Sequence, residues 1–140
     1  MASLAIERTP MERFTRYWLP VLIFVCVIIG FSAQPHLKLP FKFRNSDKVA
    51  HMGEYFCLGF LLARAWWHTL TAPRSGKVIV LALACGIFMA ACDEKFQSFI
   101  PGRESTVTDA IADTIGVTLA LFVYLLMWRR GEPGAPGARR

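Results

Sequence analysis

Four long apolar runs divide the chain, and each is long enough to predict a membrane-spanning helix. The runs are Tyr17 to Ala33, about Lys48 to Trp67, Val78 to about Ser98, and Val107 to Trp128. A bilayer core of about 30 Å requires about 20 helical residues, so we expect the third helix to continue past Asp93. Because the connections between the runs are short, we expect neighbouring helices to be antiparallel.

The composition agrees with this pattern and excludes two other classes of protein. Hydrophobic residues make up 54% of the 140 residues and charged residues only 19%, whereas soluble domains average about 45–50% and about 25%. Neither a small soluble domain nor a disordered chain fits these values. A net charge of +6 would suggest nucleic acid in a soluble protein. In an apolar chain, basic residues more often flank membrane spans, so we expect no nucleic-acid partner.

These features predict an all-α protein, specifically an integral membrane four-helix bundle. We assign residues 17–128 to the bundle, residues 1–16 to a cytoplasmic N-terminal segment, and residues 129–140 to a disordered cytoplasmic tail rich in Gly and Pro. A retained first helix is favoured over a cleaved signal peptide, because Phe31 stands where cleavage requires a small residue. Small residues four positions apart, such as Gly116 and Ala120, predict close helix contacts.

The basic residues predict which side of the membrane each end faces. Of the 16 Lys and Arg residues, ten lie on the side of the N-terminus and six on the other side. This excess predicts that both termini are cytoplasmic, in a multi-pass protein of a bacterial plasma or inner membrane. The basic segment from Gln34 to Ser46 is either a loop on the lipid headgroups or a flap over a site for anionic lipid.

Polar side chains interrupt three of the helices near the outer leaflet. On the second helix, Asp47, His51 and Glu54 follow one another at helical spacing and form one stripe. The third and fourth helices add Asp93, Glu94, Gln97, Asp109 and Asp113, and the loop between them adds Arg103. Ionisable groups at membrane depth cost at least about 2.5–3.5 kcal/mol each, so they must be paired, hydrated or used.

Some of these residues also have an ordinary structural interpretation. Asp47 and Asp109 each stand near a helix start, so capping explains them as well as function does. Lys48 is typical of an interfacial anchor. Glu54 and Asp113 lie up to two turns inside apolar helices, where neither capping nor snorkelling is easy, and this position favours a functional role.

Two sequence blocks point to a known family. The run DEKFQSFIPGRESTVTDAIADTIG, from Asp93 to Gly116, has an acidic residue, a Gln three positions later, PGR, an Asp six later, and a final Asp and Gly. The run DKVAHMGEYFCLGFLL extends from Asp47 to Leu62. Both resemble the VanZ-like family of small multi-pass membrane proteins, which takes its name from a protein linked to low-level teicoplanin resistance. The matching residues are Asp47, Lys48, His51, Tyr55, Gly59, Glu94, Gln97, Pro101, Gly102, Arg103, Asp109, Asp113 and Gly116.

Three functions remain open at this point. In the first, the bundle binds or modulates a membrane lipid or lipid-linked envelope precursor, with a role in glycopeptide susceptibility as the family name implies. Its ligand-binding residues are Asp47, Lys48, His51, Glu54, Tyr55, Asp93, Glu94, Gln97, Arg103, Asp109 and Asp113. In the second, it is an intramembrane enzyme acting on a lipid headgroup, with His51, Glu94 and Asp113 as catalytic groups. A metal-assisted form would use His51, Glu94, Asp109 and Asp113. In the third, it is a structural subunit whose polar residues join helices.

Labelling of single cysteines from outside intact cells tests the predicted orientation. We expect the reagent to reach a cysteine placed at Leu39 or Ser105, because both positions lie in predicted outer loops. A cysteine placed at Ser75, in the predicted inner loop, stays unlabelled. Labelling at Ser75 and not at the other two positions would contradict the predicted orientation and place both termini outside.

Overall fold

The chain folds into a helical bundle in the computed structural model, which describes residues 9–35, 45–71, 74–103 and 106–131. The described residues form four helices and no strand. These are α1 (Pro10–Ser32), α2 (Ser46–Thr69), α3 (Ser75–Gln97) and α4 (Val107–Gly131). The predicted all-α fold is therefore confirmed. Residues 1–8, the predicted basic loop or flap at 36–44, and tail residues 132–140 lie outside the described residues.

Three of the helices are long and apolar enough to cross a membrane, namely α1, α3 and α4. Large apolar side chains on their outer faces stay exposed, including Ile23 (57%), Phe88 (67%) and Phe122 (61%). A protein in water would not leave so much contiguous apolar surface uncovered. The second helix has 24 residues and carries more charge, and it makes its most extensive contact with α4. The structure thus agrees with a membrane protein in which α2 is sheltered by its neighbours.

The first helix begins at Pro10, earlier than the apolar run alone predicts. Thr9 and Glu12 form a capping box: the Glu12 N–H donates to the Thr9 hydroxyl (3.2 Å), and the Thr9 N–H donates to the Glu12 carboxylate (2.9 Å). Pro10 occupies the first helical turn, where its missing N–H has no cost. Local capping chemistry therefore sets this helix start, ahead of the apolar residues.

A short π-helical stretch, Phe14–Trp18, lies inside α1 and precedes Pro20. Proline has no N–H to donate to the carbonyl four residues earlier, which here belongs to Arg16. That carbonyl accepts a hydrogen bond from the Arg64 guanidinium on α2 at 3.3 Å. The proline thus exposes a backbone acceptor that ties α1 to α2.

Aromatic side chains join α1 and α2 at the end of the bundle where α1 begins and α2 finishes. Trp18 packs edge-on against Trp66 with ring centroids 5.0 Å apart, and its Nε1–H donates to Thr69 at 2.8 Å. Tyr17 stacks on His68 at 4.3 Å. These contacts gather the aromatic pairs at one end of the bundle.

Small residues let α2 and α4 approach each other at backbone distance. A Cβ added to Gly116 on α4 would overlap the Met52 carbonyl oxygen and lie 3.0 Å from the Phe56 nitrogen on α2. A Cβ on Gly59 would lie 2.9 Å from the Val117 Cα. The close contact that the small residues predict is therefore present, and α2 and α4 run parallel across it.

Replacement of Gly116 by Leu tests this contact. Because the new side chain would displace the α2 backbone, we expect a loss of about 3 kcal/mol of unfolding free energy, at the upper end of overpacking costs. The matched control is Gly53→Leu, since a Cβ at Gly53 meets nothing within 4 Å. Thermal unfolding in detergent, followed by circular dichroism, provides the measurement. Equal stability of the two variants would contradict the close-contact assignment.

Candidate functional site

The polar residues gather at the end of the bundle opposite the aromatic pairs. This end is built from the last turns of α1 and α3, the first turns of α2 and α4, and the α3–α4 connection. Gly102 has a left-handed backbone (φ 84°) in that connection, and the following Arg103 N–H donates to the Ile100 carbonyl at 3.1 Å. This tight turn places Arg103 beside the helix ends, where it lines a cavity together with residues of α1 and α2.

One ion pair closes the rim of this end. The Lys48 ammonium on α2 lies 2.6 Å from Asp109 Oδ1 on α4, and the Thr106 hydroxyl donates to Asp109 Oδ2 at 2.6 Å. The Asp109 side chain is only 6% exposed, and both of its oxygens are paired. Lys48 and Asp109 therefore stabilise the α2–α4 contact, and Thr106 holds the start of α4.

A buried group deeper in the bundle combines one residue from each of three helices. His51 on α2, Asp93 on α3 and Asp113 on α4 each offer a ligand atom within 4.8 Å of the others, and we call them the His–Asp cluster. The His51 Nδ1 and Asp113 Oδ1 atoms are 3.2 Å apart. Asp93 is 3% exposed and Asp113 is fully buried. No single helix contains this cluster, so it exists only because the bundle is packed.

The Gln97 amide orients the Asp93 side of the cluster. Its Nε2 donates to Asp93 Oδ2 at 3.0 Å and to the Ser32 hydroxyl of α1 at 3.2 Å. Gln97 is 1% exposed and Ser32 is 2% exposed. The amide therefore joins α1 to α3 and holds the Oδ2 atom of Asp93.

Several buried polar atoms beside this network have no hydrogen-bond partner among the residues that the structure describes. They are Asp93 Oδ1, Asp113 Oδ2 and the Tyr55 hydroxyl. Tyr55 lies one turn beyond His51 on α2, is fully buried, and interacts electrostatically with Asp93 and Asp113. Burying an unpaired polar group costs about 1–3 kcal/mol. A ligand that satisfies these atoms would recover that free energy.

A cavity of about 50 Å³ adjoins the cluster. Its lining consists of Phe31, Ser32, Asp47, Ala50, His51, Glu54 and Arg103. This volume holds a few water molecules, since one water needs about 10–15 Å³. Asp47 is exposed, so the cavity reaches the surface, and His51 belongs to both the cavity and the cluster.

Arg103 is the permanent cation of this cavity. Its Nε is buried without a hydrogen-bond partner, and it forms no salt bridge within the described part of the chain. Glu54 interacts electrostatically with Arg103, His51 and the cluster aspartates. The cavity lining therefore combines carboxylates with a guanidinium whose Nε has no partner among the described residues.

The structure separates the predicted site residues into four groups. His51, Glu54, Tyr55, Asp93, Gln97, Arg103 and Asp113 lie in or beside the cavity and cluster. Lys48 and Asp109 form the rim ion pair, whereas Asp47 is exposed at the cavity edge with its carboxylate 3.5 Å from Lys48. Glu94 is half-buried, and the His–Asp cluster contains the adjacent Asp93 and not Glu94. The set of four predicted metal ligands is therefore not assembled, because Glu94 and Asp109 lie outside the His–Asp cluster.

Sequence reasoning missed Ser32 as a member of this site. Ser32 is the polar residue at the end of α1 that faces Gln97. The only signal was its position within an apolar run that otherwise ends in Phe31 and Ala33. A serine at a helix end is common, so the sequence alone did not distinguish it.

Comparisons with known proteins give one family match and one curated relative. A family model described as VanZ/LLP1 matches residues 6–128. An uncharacterized protein of Schizosaccharomyces pombe is 31% identical over 110 residues, which cover 79% of this chain. The aligned region spans 62% of that relative's length. No solved structure matches the chain.

A double-mutant cycle on the rim ion pair tests its role in holding α2 to α4. For Lys48→Met and Asp109→Asn we expect a coupling free energy of about 1–3 kcal/mol, because the two groups are in contact and Asp109 is buried. The control cycle pairs Lys48→Met with Asp47→Asn and should give less than about 0.5 kcal/mol, because the Asp47 side chain is 62% exposed. Chemical unfolding in detergent measures both values. Equal couplings would show that Asp109 does not anchor the helix pair.

Proposed function

The chain belongs to the VanZ/LLP1 family, and from this premise we propose that the polar end of its membrane bundle binds the headgroup of a lipid or lipid-linked envelope component. The observation that carries the proposal is the cavity beside the His–Asp cluster, where the buried Nε of Arg103 has no hydrogen-bond partner among the described residues. A guanidinium in such a place is suited to a phosphate, which it grips through two parallel hydrogen bonds.

The remaining lining of the cavity indicates a headgroup with a second polar part. Glu54 and Asp47 contribute carboxylates, which bind an amine or the hydroxyls of a sugar. His51 can donate or accept according to its protonation. A headgroup with a phosphate and an amine or sugar has a partner for both the guanidinium and the carboxylates of this lining. A lipid-linked cell-wall precursor has this chemistry, and binding it would connect the protein to glycopeptide susceptibility.

The proposed location of the site is the outer leaflet. This rests on the distribution of basic residues, with ten on the side of the N-terminus and six on the side of the cavity. Our proposal for the membrane is a bacterial plasma or inner membrane. A similar protein occurs in Schizosaccharomyces pombe, so we base the proposed ligand on headgroup chemistry and not on the envelope of one organism.

A second candidate function is an intramembrane enzyme acting on the same headgroup. Its support is the 3.2 Å contact between His51 and Asp113 together with the unpartnered oxygen of Asp113. A carboxylate that orients an imidazole is a common arrangement for general acid–base catalysis. Accumulation of a cleaved or modified headgroup during incubation would separate this candidate from simple binding.

The third hypothesis, a structural subunit, accounts for part of the polar set. The bond from Gln97 to Ser32 and the pair of Lys48 with Asp109 have their partners within the bundle and need no ligand. The cavity and Arg103 are not accounted for in this way. We therefore assign a structural role to these two pairs and a binding role to Arg103 and Glu54.

Lipid titration of the purified protein, followed by native mass spectrometry, tests the proposal. We expect Arg103→Lys to weaken binding of phosphatidylethanolamine by about tenfold or more, since Lys keeps the charge but loses the planar fork. Arg74→Lys is the matched control, because Arg74 is exposed at the opposite end of the bundle. Glu54→Gln should reduce the preference for phosphatidylethanolamine over phosphatidylglycerol, because it removes the partner of the amine. Equal affinities of the Arg103 and Arg74 variants would exclude Arg103 as the phosphate anchor.

A further inference from the structure

We propose that His51, Asp93 and Asp113 form a binding site for one divalent cation of the zinc–manganese class. The donor set is one imidazole nitrogen and two carboxylate oxygens, each from a different helix. Imidazole suits zinc and iron, whereas carboxylates suit manganese and magnesium, so a mixed set favours a borderline ion. This inference goes beyond headgroup binding and does not depend on it, because the cation can be measured without any lipid.

The geometry of the three donors is close to that of a metal site. At metal–ligand distances of about 2.0–2.2 Å, two ligands on one tetrahedral ion are about 3.3–3.6 Å apart. The His51 Nδ1 and Asp113 Oδ1 atoms are already 3.2 Å apart, and all three donors lie within 4.8 Å of one another. The 4.8 Å limit on the donor separations exceeds this ligand–ligand spacing by little more than about 1 Å. Small side-chain rotations would therefore bring Asp93 into the coordination sphere.

The unpartnered oxygens of the cluster are the second reason for the proposal. Asp93 Oδ1 and Asp113 Oδ2 are buried without a hydrogen-bond partner among the described residues. The nearby Lys48 ammonium is engaged by Asp109. Asp93 forms no ion pair among the described residues, and Asp113 contacts only the His51 imidazole. Two buried carboxylates with so little compensation are costly in a membrane protein. A dication between them would neutralise their charge and coordinate the free oxygens.

Gln97 and the cavity complete the arrangement. Gln97 holds Asp93 Oδ2 at 3.0 Å, which leaves Oδ1 available and resembles the outer-shell hydrogen bonds that orient metal ligands. Three protein ligands leave at least one coordination position open, as in catalytic metal sites. Because His51 also lines the cavity with Arg103, a water or phosphate oxygen in the cavity could take that position. Gln97 is thus a positioning residue for the proposed cation.

Mn²⁺ titration of the full-length protein in detergent, followed by electron paramagnetic resonance, tests the site. Mn²⁺ is used because the four cysteines are soft ligands that bind it poorly. We expect about one bound Mn²⁺ per chain, and about a 100-fold or larger loss of affinity in Asp93→Asn and in Asp113→Asn, since each removes a ligand. Gln97→Ala should lose about 10–100-fold, the usual effect of an outer-shell substitution.

Two carboxylate variants serve as matched controls, namely Glu12→Gln, exposed at the opposite end of the bundle, and Glu94→Gln beside Asp93. Both should bind Mn²⁺ as the unaltered protein does. If the control variants lose Mn²⁺ while Asp93→Asn keeps it, the assigned ligand set is wrong. If the unaltered protein binds neither Mn²⁺ nor Zn²⁺, the site does not exist.

A stability measurement on the unaltered chain keeps the proposal testable should the aspartate variants fail to fold. Saturating Mn²⁺ should raise the thermal midpoint and chelator should reverse the rise, because a ligand that binds only the folded state stabilises it. No metal-dependent change in the midpoint would overturn the proposal. Lipid binding after chelation is a separate readout, so failure of the cation site and failure of the headgroup proposal are distinguishable.

Discussion

The close parallel contact of α2 and α4 is the constraint on which the rest of the structure depends. Gly116 faces the α2 backbone with no room for a side chain, and Gly59 faces Val117 in the same way one level deeper. Lipid supplies little hydrophobic drive between helices, so backbone-close packing and interhelical hydrogen bonds must hold them. This contact sets the register that brings Lys48 to Asp109 and His51 to Asp113.

Two kinds of polar pairing follow from that register. At the rim, both oxygens of Asp109 have partners, a lysine and a hydroxyl, so its charge stabilises the contact between the helices. One turn deeper, Asp113 shares only one oxygen with His51, and its other oxygen has no partner among the described residues. Buried polar networks stabilise a fold when fully satisfied and are costly when they are not. For this reason we assign a structural role to Asp109 at the rim and a ligand-binding role to Asp113 one turn deeper.

Much of the fold could be predicted from the sequence, and the site only in part. Apolar run length and helix count were correct, and α3 does continue through the charged DEKFQ segment to Gln97. The helix starts were less accurate, since local capping at Thr9 begins α1 ahead of its apolar run. Asp93 and Glu94 are adjacent, and only one can share the buried face of α3. Because successive residues turn by about 100°, the stripe of Ala82, Gly86 and Ala90 continues more closely through Asp93.

The sequence by itself determined that the chain is a helical membrane protein of this family, with its ionisable residues concentrated near one end. Run length, period and the two motif blocks are local properties, and local properties are readable without coordinates. Only the tertiary structure decided which carboxylate meets His51, that the Arg103 Nε has no partner among the described residues, and that Ser32 of α1 joins Gln97. These facts depend on the rotation of each helix about its axis. That rotation is set by the close contacts between helices, which no single segment of the sequence contains.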